Sequence, residues 1–108
     1  MKQWDTCQWD FPHGSHPCVI ISPDARCQNS AFETVNILAG QSHRAKRSAN
    51  AIECLLDVSD GMDWETLVRC DFIWVARKDE LTRRRGSVAL DRRRDMGRKV
   101  ISAVGLYL

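Results

Sequence analysis

At 108 residues, 44% hydrophobic and 28% charged, the chain fits one compact domain spanning 1–108, and this excludes a disordered tail protein or a deep cofactor-binding fold. The net charge is only +2, yet the charges are segregated. Acidic residues concentrate in 53–65, while Arg83, Arg84, Arg85, Arg92, Arg93, Arg94, Arg98 and Lys99 crowd the C-terminal quarter, which predicts a bipolar molecule with one phosphate-attracting face. The opening residues Met1-Lys2-Gln3-Trp4-Asp5 lack the apolar stretch of a secretory signal, and no apolar run approaches the roughly 18 residues that span a bilayer. A cytoplasmic protein without membrane contact is expected.

Five cysteines, Cys7, Cys18, Cys27, Cys54 and Cys70, form no C-x-x-C pair and are odd in number, so they read as reduced thiols, most of them small apolar residues of the core. Only His13 and His16 approach the spacing of a zinc-ligand pair, and neither a metal nor a cofactor is expected.

In chain order, Cys7, Trp9 and Phe11 alternate with Gln8 and Asp10, the period of a half-buried strand. The stretch Pro12-His13-Gly14-Ser15-His16-Pro17 breaks it. Cys18-Val19-Ile20-Ile21 is continuous and β-branched, as a strand buried on both faces would be, and Ser22-Pro23-Asp24 closes it with turn chemistry. A further strand is predicted over 33–39, then a long exposed polar loop over 40–50, then alternation of Ile52, Cys54 and Leu56. Asp57–Asp63 reads as a turn. Val68, Cys70 and Phe72 alternate with Leu67, Arg69 and Asp71 in a segment that runs on through Ala76. After a last strand near Arg85–Val88, Asp91 suits the first turn of a helix whose Met96, Val100, Ala103 and Val104 recur at helical spacing. Short strands followed by one helix predict a mainly β fold, a small, partly open antiparallel barrel capped by a C-terminal helix. The four tryptophans, Trp4, Trp9, Trp64 and Trp74, are expected as core or dimer-interface anchors, and a homodimer is expected to hide part of this apolar surface.

Three segments in order resemble the MazF/PemK (Kid) family of toxin endoribonucleases. His16-Pro17-Cys18-Val19-Ile20-Ile21-Ser22-Pro23 is similar to that family's Arg-Pro-Val-Leu-Val-Ile-x-Pro stretch. Leu67-Val68-Arg69-Cys70-Asp71 resembles the Val-Val-Arg-Cys-Asp of the Kid/PemK branch. Arg85-Gly86-Ser87-Val88, running into the helix, resembles its Lys-Gly-Thr-Val strand. The resemblance implies an SH3-like barrel, a homodimer, cleavage of single-stranded RNA, and a partner antitoxin. His16 stands where the family carries arginine, and Ser42 is the nearest hydroxyl to the family's strand-end threonine.

Metal-free RNA cleavage uses the adjacent 2′-hydroxyl as nucleophile and needs a base, an acid and a cation for the phosphorane. Arg69 and Asp71, two apart on a strand, project from one face roughly 7 Å apart, a span one phosphodiester bridges; the resemblance puts the acid and base at these positions. Asp71 serves as base if burial raises its pKa. Arg69 is too weak an acid and is assigned to the phosphate, which leaves His16 as the acid. Gln41, Ser42, His43 and Arg44, with His13 in the first loop, are candidate RNA-groove residues. The alternatives for the Arg69–Asp71 pair and the loop are a structural salt bridge and a solvated surface. At the level of function, the alternatives are a protein-binding toxin, acting for example on gyrase, and a family member that retains only RNA or antitoxin binding.

Overall fold

The computed structural model describes residues 1–42, 48–81 and 83–105. Seven strands, β1 (Asp5–Phe11), β2 (Gly14–Ile20), β3 (Thr34–Ser42), β4 (Glu53–Leu56), β5 (Thr66–Arg69), β6 (Trp74–Arg77) and β7 (Arg84–Ser87), are joined by a short helix α1 (Asp24–Gln28) and closed by α2 (Leu90–Ala103). They form one antiparallel sheet in the order β4-β5-β3-β2-β1-β7, with β6 also beside β3. The expected mainly β architecture with a C-terminal helix is therefore present.

Three boundaries differ from the sequence expectation. The break at 12–17 is only a tight turn: β2 already starts at Gly14 and pairs Phe11 with Gly14 and Trp9 with His16. Next, β3 continues through Gly40, Gln41 and Ser42, because β5 is there to pair with them. Last, the segment 66–77 runs along one edge of β3 as two strands, β6 opposite 34–37 and β5 opposite 40–42. Between them residues 69–73 face only 38–39, an outsize bulge that bends the sheet. A second register shift between Thr6 and Cys7, where β1 meets β7, adds to the curl.

The curl gives the sheet two cores. Cys18, Ile20, Val35 and Ile37 pack on one side with Cys7, Phe11, Cys27, Ala76 and Leu81. The alternate residues Val19 and Leu38 pack on the other with Cys54, Leu56, Met62, Val68, Cys70, Val88 and Met96. All five thiols, more than the sequence led one to expect, are buried, and all are free. Trp9 and Trp74 flank the first core and Trp4 the second, whereas Trp64 is 59% exposed and is no core anchor.

Helix α2 lies along β4: Arg92 reaches Asp57, Asp95 approaches the Cys54 Sγ, and Lys99 Nζ donates to the Glu53 carbonyl at 2.7 Å. Glu53 begins β4, so the helix overshoots the strand beyond Lys99. For that reason Met96 is buried and Val100 packs at the edge of the core, but Ala103 and Val104 are exposed, against expectation.

The segregated charges do not make a bipolar molecule, because the two blocks fold onto each other. Arg85 pairs with Asp63 at 2.7 Å, and Arg92 pairs with Asp57 at 3.0 Å and with Asp60. Asp60 is fully buried and also accepts the Ala89 and Asp57 amides at 2.8 and 2.9 Å. The turn holding it ends at Gly61, whose φ is +87° and whose missing Cβ would lie 2.6 Å from the Arg85 carbonyl oxygen, so glycine is required there. No helix among the described residues is long and apolar enough to cross a membrane.

Candidate functional site

Beside the second core the strands converge closely. A Cβ on Gly40 would lie 2.8 Å from Thr66 Cγ2 and 3.2 Å from the Pro17 carbonyl oxygen, so glycine lets β2, β3 and β5 meet. Next to this contact lies a cleft of about 310 Å³ whose walls include Gln8, His16, Ser42, Trp64, Thr66 and Arg85. Ser42 and Thr66 are register partners, and the Thr66 hydroxyl donates to the Trp64 carbonyl at 3.0 Å. Arg85 donates from Nη1 to Gln8 Oε1 at 2.9 Å and from Nε to the Gly61 carbonyl at 3.1 Å. With Ser15 and Asp63 also in its walls, the cleft gathers an imidazole, three hydroxyls, a carboxylate and a guanidinium.

His16 also lies against His13, with ring centroids 4.8 Å apart, and near Phe11 at 6.1 Å. Burial, and then the neighbouring His13, lower the His16 pKa below its ordinary 6.5, so at neutral pH the ring is mainly in its proton-accepting form.

Arg69 and Asp71 do not share a strand, because β5 ends at Arg69. Instead of spanning a phosphodiester, the side chains close on each other, Nε to Oδ1 at 2.9 Å and Nη2 to Oδ2 at 2.7 Å. This bidentate contact holds the Asp71 carboxyl below its ordinary value and raises Arg69. Partial burial, with 27% of the Asp71 side chain exposed, does push the carboxyl up, but the Arg69 hydrogen bonds outweigh it. The structure therefore corrects the expected same-strand spacing and the expected upward shift.

The pair does not line the cleft. It is linked to it through rings: Phe72 follows Asp71 and lies 4.9 Å from Trp74, Trp74 is 6.1 Å from His13, and His13 adjoins His16. Gln41 is exposed on β3, and the candidates His43 and Arg44 lie outside the described residues. No group of three or more metal-ligating side chains gathers among the described residues.

Sequence reasoning missed Thr66, Trp64 and Arg85 as cleft residues. In sequence Arg85 reads as part of a basic run and Trp64 as a core or dimer-interface anchor. The one available signal was Asp60-Gly61, a turn that folds its flanking residues back onto the strand carrying Arg85.

No family model and no curated protein matches the sequence. Solved structures do match over nearly the whole chain. An endoribonuclease in complex with its cognate antitoxin, from a mycobacterial species, shares 22% identity at a TM-score of 0.84, covering 100% of this chain and 98% of that one. The toxin MazF-mt6 of Mycobacterium tuberculosis shares 14% at 0.81, covering 96% and 99%. A MazE–MazF structure from Deinococcus radiodurans gives 16% at 0.77, covering 99% and 97%. A curled antiparallel sheet with a closing helix, matched over nearly the whole chain at TM-scores of 0.77 to 0.84, places this chain in the MazF fold.

Proposed function

We propose that the protein is the toxin of a toxin–antitoxin system, a homodimeric endoribonuclease that cuts single-stranded RNA without a metal and is neutralised by an antitoxin protein. The observation that carries this reading is the convergence of His16, Ser42, Thr66 and Arg85 in one cleft on a fold shared with MazF endoribonucleases. The cleft offers what transesterification needs: a proton acceptor for the 2′-hydroxyl, hydroxyl donors, and a cation for the phosphate.

The lowered pKa of His16 changes the roles drawn from sequence. A neutral imidazole accepts the 2′-hydroxyl proton more readily at pH 7 than a carboxylate already held down by arginine, so His16 takes the base role, and the imidazolium it becomes returns that proton to the departing 5′-oxygen as the P–O5′ bond breaks. Arg69, its guanidinium oriented by the bidentate contact with Asp71, meets the phosphorane from beyond the cleft wall, across the rings that link the pair to His16, while Arg85 inside the cleft takes an adjoining phosphate. The exposed Phe72, Ile73 and Val75, at the bulge and on β6, supply apolar surface for a second copy.

One observation favours a second reading, binding without turnover: Asp71 already satisfies the fork of Arg69. The two readings separate on mixed-sequence RNA incubated in chelator. Cleavage to 2′,3′-cyclic phosphate ends, abolished by a 2′-deoxy nucleotide at the cut site and by His16→Ala, supports the nuclease; intact RNA with retained binding supports the alternative.

A further inference from the structure

We propose that the cleft and the arginines beside it form a nucleotide subsite in which a base stacks on Trp64 and the adjoining phosphate takes the place of Asp63 on Arg85. The proposal rests on the RNA-binding reading above and adds where one nucleotide sits.

Trp64 is singular among the four tryptophans. The others pack against a core, whereas Trp64 is 59% exposed as a residue and stands at the cleft wall. Its backbone is fixed by the Thr66 hydroxyl, so the exposed ring stands on an ordered strand entrance. An exposed indole beside hydroxyl and amide groups is the arrangement that takes a nucleobase, face on the ring and edge on the polar groups. Gln8, Ser42 and Thr66 supply those groups here.

Arg85 is built as a phosphate receiver. Its side chain is only 13% exposed, and two of its nitrogens are fixed by the Gly61 carbonyl and Gln8. Nη2 meets Asp63 at 2.7 Å, and that carboxylate is 65% exposed. A buried, oriented guanidinium is thus capped by a single solvated anion. Solvated ion pairs are weak, so a phosphate that brings a neighbouring stacked base displaces the carboxylate at little loss.

The charges beyond Asp63 extend the track. Arg83, Arg84 and Arg85 line an adjoining recess with Gly61 and Asp63. Arg83 has no ion pair among the described residues, and Arg84 is 60% exposed although paired with Asp5 at 3.3 Å. Three arginines around one exposed carboxylate leave net positive charge where a second phosphate would follow. An acidic peptide would use the same arginines but not the indole and hydroxyls, which is why the nucleotide is favoured.

The test is fluorescence anisotropy of a labelled, mixed-sequence 2′-fluoro oligonucleotide, which lacks the attacking hydroxyl, on the full chain over a salt series. Trp64→Ala is expected to weaken binding about tenfold at every salt concentration. Asp63→Asn is expected to tighten it about threefold by removing the competing anion, and Arg85→Gln to weaken it and reduce the log–log salt slope by about 0.7. Circular dichroism checks the fold of the Arg85 variant, while Trp64 and Asp63 are exposed enough to be replaced without loss of fold. Trp64→Ala and Asp63→Asn binding like the parent, in a protein that still cleaves RNA, overturns the subsite and leaves the nuclease. Asp63→Asn that strengthens binding of poly-glutamate but not of the oligonucleotide assigns the arginines to an acidic peptide and overturns it too. No oligonucleotide binding and no RNA cleavage by the parent protein overturns both.

Discussion

Replacing Arg92 by methionine tests how the closing helix is held. Met keeps the length of the side chain and removes the guanidinium that pairs with Asp57 and Asp60. Breaking a fully buried ion pair costs about 3–5 kcal/mol, because the remaining charge is stranded. Two features reduce that here: Asp60 keeps the Ala89 and Asp57 amides, and Arg92 is 33% exposed, so water reaches part of the site. The expected loss is therefore about 2–3 kcal/mol, or about a quarter of the stability typical of such a domain. Asp60→Asn should cost at least as much, since one carbonyl oxygen cannot replace two carboxylate oxygens that face donors. Asp57→Asn should cost under about 1 kcal/mol, as its carboxylate is 40% exposed. Urea unfolding followed by circular dichroism measures all three. Hydrogen bonds from Arg92 and Ser59 hold Asp57 well below its ordinary pKa, so its stabilisation is complete above the unfolded value near 3.9 and is lost as pH falls through the lower folded value. Arg92→Met should flatten that acid limb. A loss below about 1 kcal/mol for Arg92→Met, with the acid limb unchanged, would refute the clasp.

With His16 as base, the cleavage rate should rise with pH through a midpoint below 6.5 and level off by neutrality; a rate that falls over this range returns His16 to the acid role. Arg69→Ala and Asp71→Asn should each lower cleavage by about two to four orders of magnitude at unchanged melting temperature, whereas lost stability with intact cleavage identifies the pair as a structural salt bridge. Gly61→Ala should destabilise by more than about 2 kcal/mol in urea, since it combines a left-handed backbone with a 2.6 Å clash. Light scattering at tens of micromolar should give twice the chain mass, and a monomer there counts against the homodimer.

The strands that sequence reveals best are those with apolar residues on a clear period. β1 shows alternation, and Cys18-Val19-Ile20 is a solid apolar run because its two sides feed different cores. What sequence could not show depends on pairing across long separations. Gly40, Gln41 and Ser42 look like loop until β5 lies beside them. Segment 66–77 looks like one strand because the bulge interrupts its pairing with β3 and leaves no mark in its hydrophobic pattern. The same limit governed the site. His16 and Ser42 were found through a motif, but Arg85 and Trp64 join them only because the Asp60-Gly61 turn crosses β7. The acid–base roles turned on burial, which spacing in a chain does not report.

The division of the thiols between the two cores gives the protein five internal reporters of its own breathing. Cys7, Cys18 and Cys27 belong to the first core, and Cys54 and Cys70 to the second. Burial pushes the Cys7 and Cys18 thiols up to about 11 and about 12, so neither presents a thiolate to an alkylating reagent at pH 8 until its strands part. Cys54 differs: the Cys70 thiol, 4.0 Å away, hydrogen-bonds to it and lowers its pKa. Alkylation resolved by mass spectrometry should therefore mark Cys54 first, and the interval before Cys7 and Cys18 follow measures how far the helix-covered side of the sheet opens independently of the β1–β2 hairpin.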